Sequence, residues 1–335
     1  MLKQTNGVKR QISCLQTDLG DVLRDIGDYS SARESYEVSL AISQELEDIR
    51  HTAIAQGQLG ALALIQKNLP EATQRYKITL KISQQINEPE LEAISLHQLG
   101  RIFELLHQWE DAEQAYRQSA QIKESQGLIG GSNGAVTTWS QLAIICQYLG
   151  RLEESEEWYL KVIEADRKTG DRIQLSKHLS NLATILQQLP KRLNEVQQLA
   201  EESLAIKKTF DPAAVEIWLT YGLLAEISDK QGDAAKAKDY RRESRAARAN
   251  FAGTEYELRQ HAPLIRTVVT AIDDAEVRQQ LEAKLQSAPP EWQNLIAAIR
   301  QIFNGERDED ILCERLGIEE AQIILAILGQ VKSKK

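Results

Sequence analysis

The stretch LHQLGRIFELLHQWEDAEQAY, residues Leu96–Tyr116, decides how this chain is read. It joins a Leu-Gly pair (Leu99-Gly100) to Ala112 twelve residues later and to Tyr116 four further on. The same markers stand upstream as Leu19-Gly20, Ala32, Tyr36 and as Leu59-Gly60, Ala72, Tyr76. Downstream they persist in degenerate form. The fourth unit has Leu142-Ala143, Ser155 and Tyr159. The fifth has Leu182-Ala183, with Val196 and Ala200 displaced by one extra residue near Pro190. The sixth has Leu224-Ala225, Ala237 and Arg241, with Tyr240 beside it. Successive small residues are 40, 40, 43, 40 and 42 positions apart. A fixed period of this length marks a stack of supersecondary units.

Each unit reads as two antiparallel helices. The small residue of the first helix lets the second cross closely, and the small residue of the second does the same in return. The tyrosine, one turn later, fills the gap to the next unit. Gly27-Asp28, Gly150-Arg151 and Gly232-Asp233 sit where a first helix must stop, and glycine there supplies a left-handed C-cap. The apolar stripes have helical spacing, as in SLAI at Ser39–Ile42 and Ser203–Ile206. GLIGGSNG, Gly127–Gly134, reads as a loop between the third and fourth units. It lacks a GKS or GKT ending and a preceding strand, so it is not read as a phosphate cradle.

Composition sets the outer bounds. The 335 residues carry 40 Lys+Arg against 49 Asp+Glu, a net charge of −9. That balance argues against a nucleic-acid partner, which needs clustered positive charge. Cys14, Cys146 and Cys313 are too dispersed for a disulfide framework or a metal cluster, which points to the cytoplasm. The N-terminus has no apolar signal region, and Ile323–Leu328 is too short an apolar run to cross a membrane. HExxH, CxxC and GxSxG are absent, and His51, His97, His107, His178 and His261 are scattered. We therefore expect no enzyme activity, no metal and no cofactor. DILCERLGIEEAQIILAIL (Asp310–Leu328) imitates a helix-turn-helix, but its second helix opens with Glu319 and Glu320, which would repel phosphate. It reads as a packing element. The basic stretch Lys230–Arg248 reads as a solvated face.

The Leu-Gly, turn, Ala and Tyr markers resemble the tetratricopeptide repeat. The unit is longer than the usual length of about 34 residues, and in this it is similar to the long-repeat, kinesin-light-chain-like subclass found in many bacterial regulatory proteins. The resemblance implies an all-α fold, a right-handed α-solenoid of six helical hairpins with a C-terminal helical extension. We place the solenoid at 1–253, in units of about 7–48, 49–88, 89–131, 132–171, 172–211 and 212–252. Capping helices are expected at 254–288 and a small helical subdomain at 289–335. The first helix begins almost at Met1 without a distinct cap. That leaves room for an N-terminal fusion or a partner domain, and the oligomeric state stays open.

A stack of helix pairs makes a concave wall from its first helices. The residues before each marker, Asp18, Gln58, Gln98, Gln141 and Asn181, put four amides and one acid at one recurring place. A side-chain amide both donates and accepts, so such a ladder can pair with the backbone of an extended peptide. The resemblance implies the same use, since long-repeat relatives employ asparagines this way. The alternative is that the amides bond to neighbouring helices and hold the units in register. Around the ladder the groove is expected to show Asp21, Arg24 and Asp25, then Ala61, Leu64 and Ile65. His97, Arg101, Glu104 and Leu105 follow, then Ile144, Gln147 and Tyr148, and finally Thr184 and Gln187. No lysine and arginine array for a carboxylate is present. The function expected is a non-catalytic scaffold for protein–protein interaction, binding a peptide or protein segment in the groove. The tail is similar to the ends of bacterial repeat proteins attached to signalling ATPases. That implies a second reading, a sensor or regulatory module of a STAND-type signalling ATPase or similar effector.

Overall fold

The computed structural model describes residues 2–131, 133–251 and 253–333; Ser132, within the Gly127–Gly134 segment, lies outside them. Among the described residues there are seventeen α-helices and no strand. The chain divides into two compact units, residues 1–171 and 172–335.

Unit 1 holds four helical hairpins. They are α1 (Leu2–Asp25) with α2 (Tyr29–Glu45), α3 (Ile49–Ile65) with α4 (Leu69–Gln85), α5 (Pro89–Leu105) with α6 (Trp109–Ser125), and α7 (Ala135–Tyr148) with α8 (Leu152–Thr169). Local sequence sets the boundaries. Asp28, Asp48 and Asn68 each accept a hydrogen bond from the backbone N–H three residues on, satisfying a donor that the helix start leaves free. Gly27 and Gly150 end their helices at φ 86° and 73°. Lys67 and His107 adopt the same left-handed conformation without glycine, at 59° and 57°, which costs about 1 kcal/mol each.

The sequence markers are where the helices meet. Ala32, Ala72, Ala112 and Tyr36, Tyr116 and Tyr159 are all buried. A Cβ added to Gly100 would stand 2.7 Å from the Tyr116 ring, and one added to Gly20 would stand 2.4 Å from that of Tyr36. Ala112, Tyr116, Trp139, Leu142 and Ile145 pack into one cluster joining the third and fourth hairpins. Consecutive first helices touch, α1 with α3 and α3 with α5. The first-helix side is therefore the inner side of unit 1.

Unit 2 holds two further hairpins, α9 (Arg172–Leu186) with α10 (Leu193–Lys207) and α11 (Ile217–Lys230) with α12 (Ala234–Ala249). Val196 and Ala200, which stand at the small-residue and tyrosine places, are both fully buried. Five helices follow: α13 (Thr254–Ala271), α14 (Ala275–Leu285), α15 (Gln293–Phe303), α16 (Glu309–Leu312) and α17 (Ile318–Ser333). They share one core that includes Val268, Leu281, Ile299, Ile324 and Ile327. The helix-turn-helix look-alike is thus a one-turn α16 beside α17, which buries Ile323, Ile324, Ile327 and Leu328. No helix among the described residues is long and apolar enough to cross a membrane.

The basic stretch Lys230–Arg248 departs from its expectation as a solvated face. Arg245 and Arg248 are buried. Asp310 takes ion pairs from Arg242 and Arg245 at 2.5 Å and from Lys238 at 3.3 Å, while Arg248 pairs with Glu257. The guanidinium of Arg248 also lies 4.7 Å from the Trp218 ring centre. The basic face of α12 is a docking face for the helices that follow it.

Candidate inner-face binding site

Residues i, i+3 and i+7 of a helix share one face. On the four first helices of unit 1 this stripe is Asp18, Asp21, Asp25; Gln58, Ala61, Ile65; Gln98, Arg101, Leu105; and Gln141, Ile144, Tyr148. The final position carries exposed apolar side chains in three consecutive hairpins. Ile65 is 46%, Leu105 56% and Tyr148 63% exposed. Tyr148 stacks on Trp109 with ring centres 4.5 Å apart and planes 7° from parallel, and His107 stands edge-on to Trp109. Leu106 is exposed beside them. Exposed aromatics held rigid by stacking are typical anchors for a protein partner.

The amide row is in part engaged within the chain. Gln58 accepts from the Arg24 guanidinium at 3.3 Å and donates to Asp21 at 3.5 Å. Arg24 also pairs with Asp21 and Asp25, and the Tyr36 hydroxyl donates to Asp21. Asp21 and Asp25 thus share the single guanidinium of Arg24, and Gln58 acts as a cross-tie between hairpins. Gln98 accepts from Arg101, one turn along its own helix. Asp18 is exposed, and Gln141 is half-buried on the same inner row. Leu64 packs beside Tyr76, Leu99 and Ile102.

His97 is drawn into packing between hairpins. Its ring tilts against Tyr116 at 5.3 Å, and its Nδ1 lies 3.1 Å from the Thr138 hydroxyl. Burial, with help from Lys123 and Arg101, lowers its pKa to about 3. The imidazole is therefore neutral and shares a hydrogen bond with Thr138. Lys123 in turn donates to Thr138 Oγ1 at 2.8 Å and to the Gly134 carbonyl.

In unit 2, Asn181, Thr184 and Gln187 line a cavity of about 360 Å³ together with Lys207, Trp218 and Leu219. Gln187 donates to Glu226 at 2.7 Å. Lys207 repeats the Lys123 arrangement, donating to Thr220 Oγ1 at 2.9 Å and to the Glu216 carbonyl. Desolvation pushes both ammonium groups down to a pKa of about 8. The ordinary lysine value is near 10.4. Between these values the unfolded chain binds more protons than the folded one, so stability is expected to rise as pH goes from about 8 to 10.5. Lys207→Met should raise stability by about 1 kcal/mol at neutral pH and flatten that rise in thermal melts recorded across the window.

Glu113, Cys146 and Glu154 present ligand atoms within 4.8 Å of one another, a grouping that sequence spacing alone does not reveal. Arg117 and Arg151 both pair with Glu113 and Glu154. A cation there would compete with two guanidinium groups. The arrangement is a charge-balanced tie between hairpins three and four.

Residues 51–125 and 134–209 match the tetratricopeptide repeat family model. These two segments carry tetratricopeptide repeats. Solved tetratricopeptide structures share its fold. The Signal Transduction ATPase with Numerous Domains (STAND) protein with a tetratricopeptide repeat sensor from Pyrococcus horikoshii aligns with TM-score 0.63 and 16% identity, over 70% of this chain and 36% of that one. The chain thus spans about a third of that ATPase. BtubC (BKLC) from P. vanneervenii aligns with TM-score 0.57 and 19% identity, over 68% of this chain and 90% of that one. A kinesin light chain with nearly identical TPR-like repeats from Podosopora anserina aligns with TM-score 0.51 and 20% identity, covering 60% and 97%. No curated protein sequence matches the chain.

Proposed function

We propose that this tetratricopeptide chain is a non-catalytic scaffold that docks a protein segment on the inner face of unit 1. Apolar side chains of the partner sit on Ile65, Leu105 and Tyr148, and its backbone meets Gln98 and Gln141. The observation that carries this reading is the exposed apolar strip, one residue per hairpin, ending in the Trp109–Tyr148 stack. Repeat proteins of this family bind proteins or peptides, which supports the same class of partner. In unit 2, the cavity beside Asn181 and Gln187 extends the amide chemistry to that unit. The groups tied up within the chain, Gln58, Asp21, Arg24 and His97, shape the wall and leave recognition to their neighbours.

The test is quantitative capture of partners from a lysate by the intact chain. Leu105→Asp combined with Tyr148→Ala is expected to weaken capture about 30-fold, since a buried aromatic anchor contributes about 2 kcal/mol. Gln98→Ala alone should cost less, about 1 kcal/mol for the bond lost. Unchanged capture by Leu105→Asp/Tyr148→Ala would remove the strip from the account.

The likeness to the sensor-bearing ATPase favours a second reading, in which the same groove is the sensing part of a signalling ATPase. A nucleotide-binding module encoded beside or fused to this chain would support it.

A further inference from the structure

The outer edge of unit 1 carries a second surface that the inner face does not explain. Val8, Ile12, Leu15, Leu19, Val22 and Ile26 follow one another at steps of four, three, four, three and four along α1 and the residue that ends it. That spacing sets them in a single stripe, the seam of a coiled coil. All six are exposed, from 40% at Ile12 to 72% at Ile26. The counterparts of Leu15, Leu19 and Val22 forty residues on, Ala55, Leu59 and Leu62, are closed. Leu59 and Leu62, which correspond to Leu19 and Val22, are fully buried against Ala32, Tyr36 and Leu40 of the preceding hairpin. Leu99 and Ile102 are buried in the same way against Ala72 and Tyr76. The stripe on α1 is thus the surface by which hairpins stack, without a hairpin on it.

We propose that a second copy of this chain covers the stripe, with the two α1 helices packed antiparallel. Three observations select this occupant. The stripe consists of large aliphatic side chains at seam spacing, whereas α2 meets its neighbour with Ala32 and Tyr36. A seam is best filled by another seam. The run of steps reads the same in both directions, so an antiparallel copy meets it in register, Leu15 against Leu19 of the partner subunit and Val8 against Ile26 of the partner subunit. Charge selects the direction: the first half of α1 carries Lys9 and Arg10 and no acid, and the second half carries Asp18, Asp21 and Asp25 against the single Arg24. Antiparallel packing sets opposite halves and opposite helix dipoles side by side, while parallel packing would stack the acidic ends. Lys9 and Arg10 already pair with Glu45 and Asp48, so the aliphatic seam supplies the association and the charges orient it. The seam residues are not those proposed to hold the partner, Ile65, Leu105 and Tyr148, so the proposal stands or falls independently of the one above.

Sedimentation equilibrium of the full chain is the test. Twice the monomer mass is expected at ~50 µM, and Leu15→Glu combined with Leu19→Glu should weaken association at least 100-fold, leaving a monomer. Both positions are already exposed, so the variant should keep the wild-type helical circular dichroism. A wild-type chain that remains monomeric at ~200 µM, or a dimer that survives the double substitution, overturns the proposal. Direction is read by cross-linking. Val8→Cys combined with Ile26→Cys should give a disulfide-linked dimer, and Ile26→Cys alone should not; a linked dimer from Ile26→Cys alone overturns the antiparallel arrangement.

Discussion

Replacing Gly100 with valine is expected to destabilise unit 1 by about 3 kcal/mol, near the upper end of the usual cost of overpacking. The cause is local. The Tyr116 ring lies where a Cβ would go, at 2.7 Å. That ring is fully buried, and its hydroxyl is held by Glu104 at 2.9 Å. It cannot swing aside without emptying the cluster that joins the third and fourth hairpins. Gly100→Ala should also lose stability, by less, because alanine recovers about 1 kcal/mol of helix propensity. Gly57 supplies the control. A Cβ there would meet Thr79 at 3.8 Å, an ordinary contact. Gly57→Ala should therefore gain up to about 1 kcal/mol. Urea unfolding of the three variants reads the series, and a Gly100→Ala protein as stable as Gly57→Ala would contradict the close-crossing account of the repeat.

Asp310→Ala is expected to cost unit 2 about 3 to 5 kcal/mol, the usual effect of removing one partner from a buried ion pair. The Asp310 carboxylate is 9% exposed and receives Arg245, itself 8% exposed, together with Arg242 and Lys238. Without it Arg245 stays buried with only the more distant Glu309 at 3.7 Å. The carboxylate also supplies the pH signature. Its hydrogen bonds to Arg242, Arg245 and Lys238 outweigh the desolvation that opposes ionisation, so its pKa lies below the ordinary value of 3.8. A depressed carboxylate contributes stability above its unfolded pKa and loses it as pH falls through the folded value. Wild type should therefore lose stability below about pH 4. Asp310→Asn, which keeps the shape and loses the charge, should melt lower at pH 7 and show a weaker acid limb. Thermal melts from pH 7 down to 3 measure both.

The markers legible in the sequence are those set by contacts that recur once per hairpin. Gly100 against Tyr116 repeats at Gly20 against Tyr36, so the period and the helix pairing could be read without coordinates. Val196 and Ala200 were legible for the same reason, although both are substitutions. What was not legible depends on contacts that occur once. Asp310 lies 65 residues from Arg245, and no spacing rule joins them, so the basic face of α12 read as solvated. Trp109 belongs to a second helix and Tyr148 to the first helix of the next hairpin, and their stack follows from the packing of two hairpins. The amide ladder shows the limit most plainly. The recurrence of Gln58, Gln98 and Gln141 was visible, but whether each is free depends on whether a long cation such as Arg24 or Arg101 can reach it. Lys67 and His107 take left-handed turns where the sequence offers no glycine, because the hairpin geometry overrides local preference.

The central claim, that a partner lies along the inner face of unit 1, is tested most directly by photocrosslinking. A photoreactive residue placed at Tyr148 is compared with one at Glu157, an exposed position on the second helix of the same hairpin. The account expects a discrete cross-linked species from position 148, suppressed by Leu105→Asp, and none from position 157. Equal labelling at the two positions, or labelling at 157 alone, would contradict it.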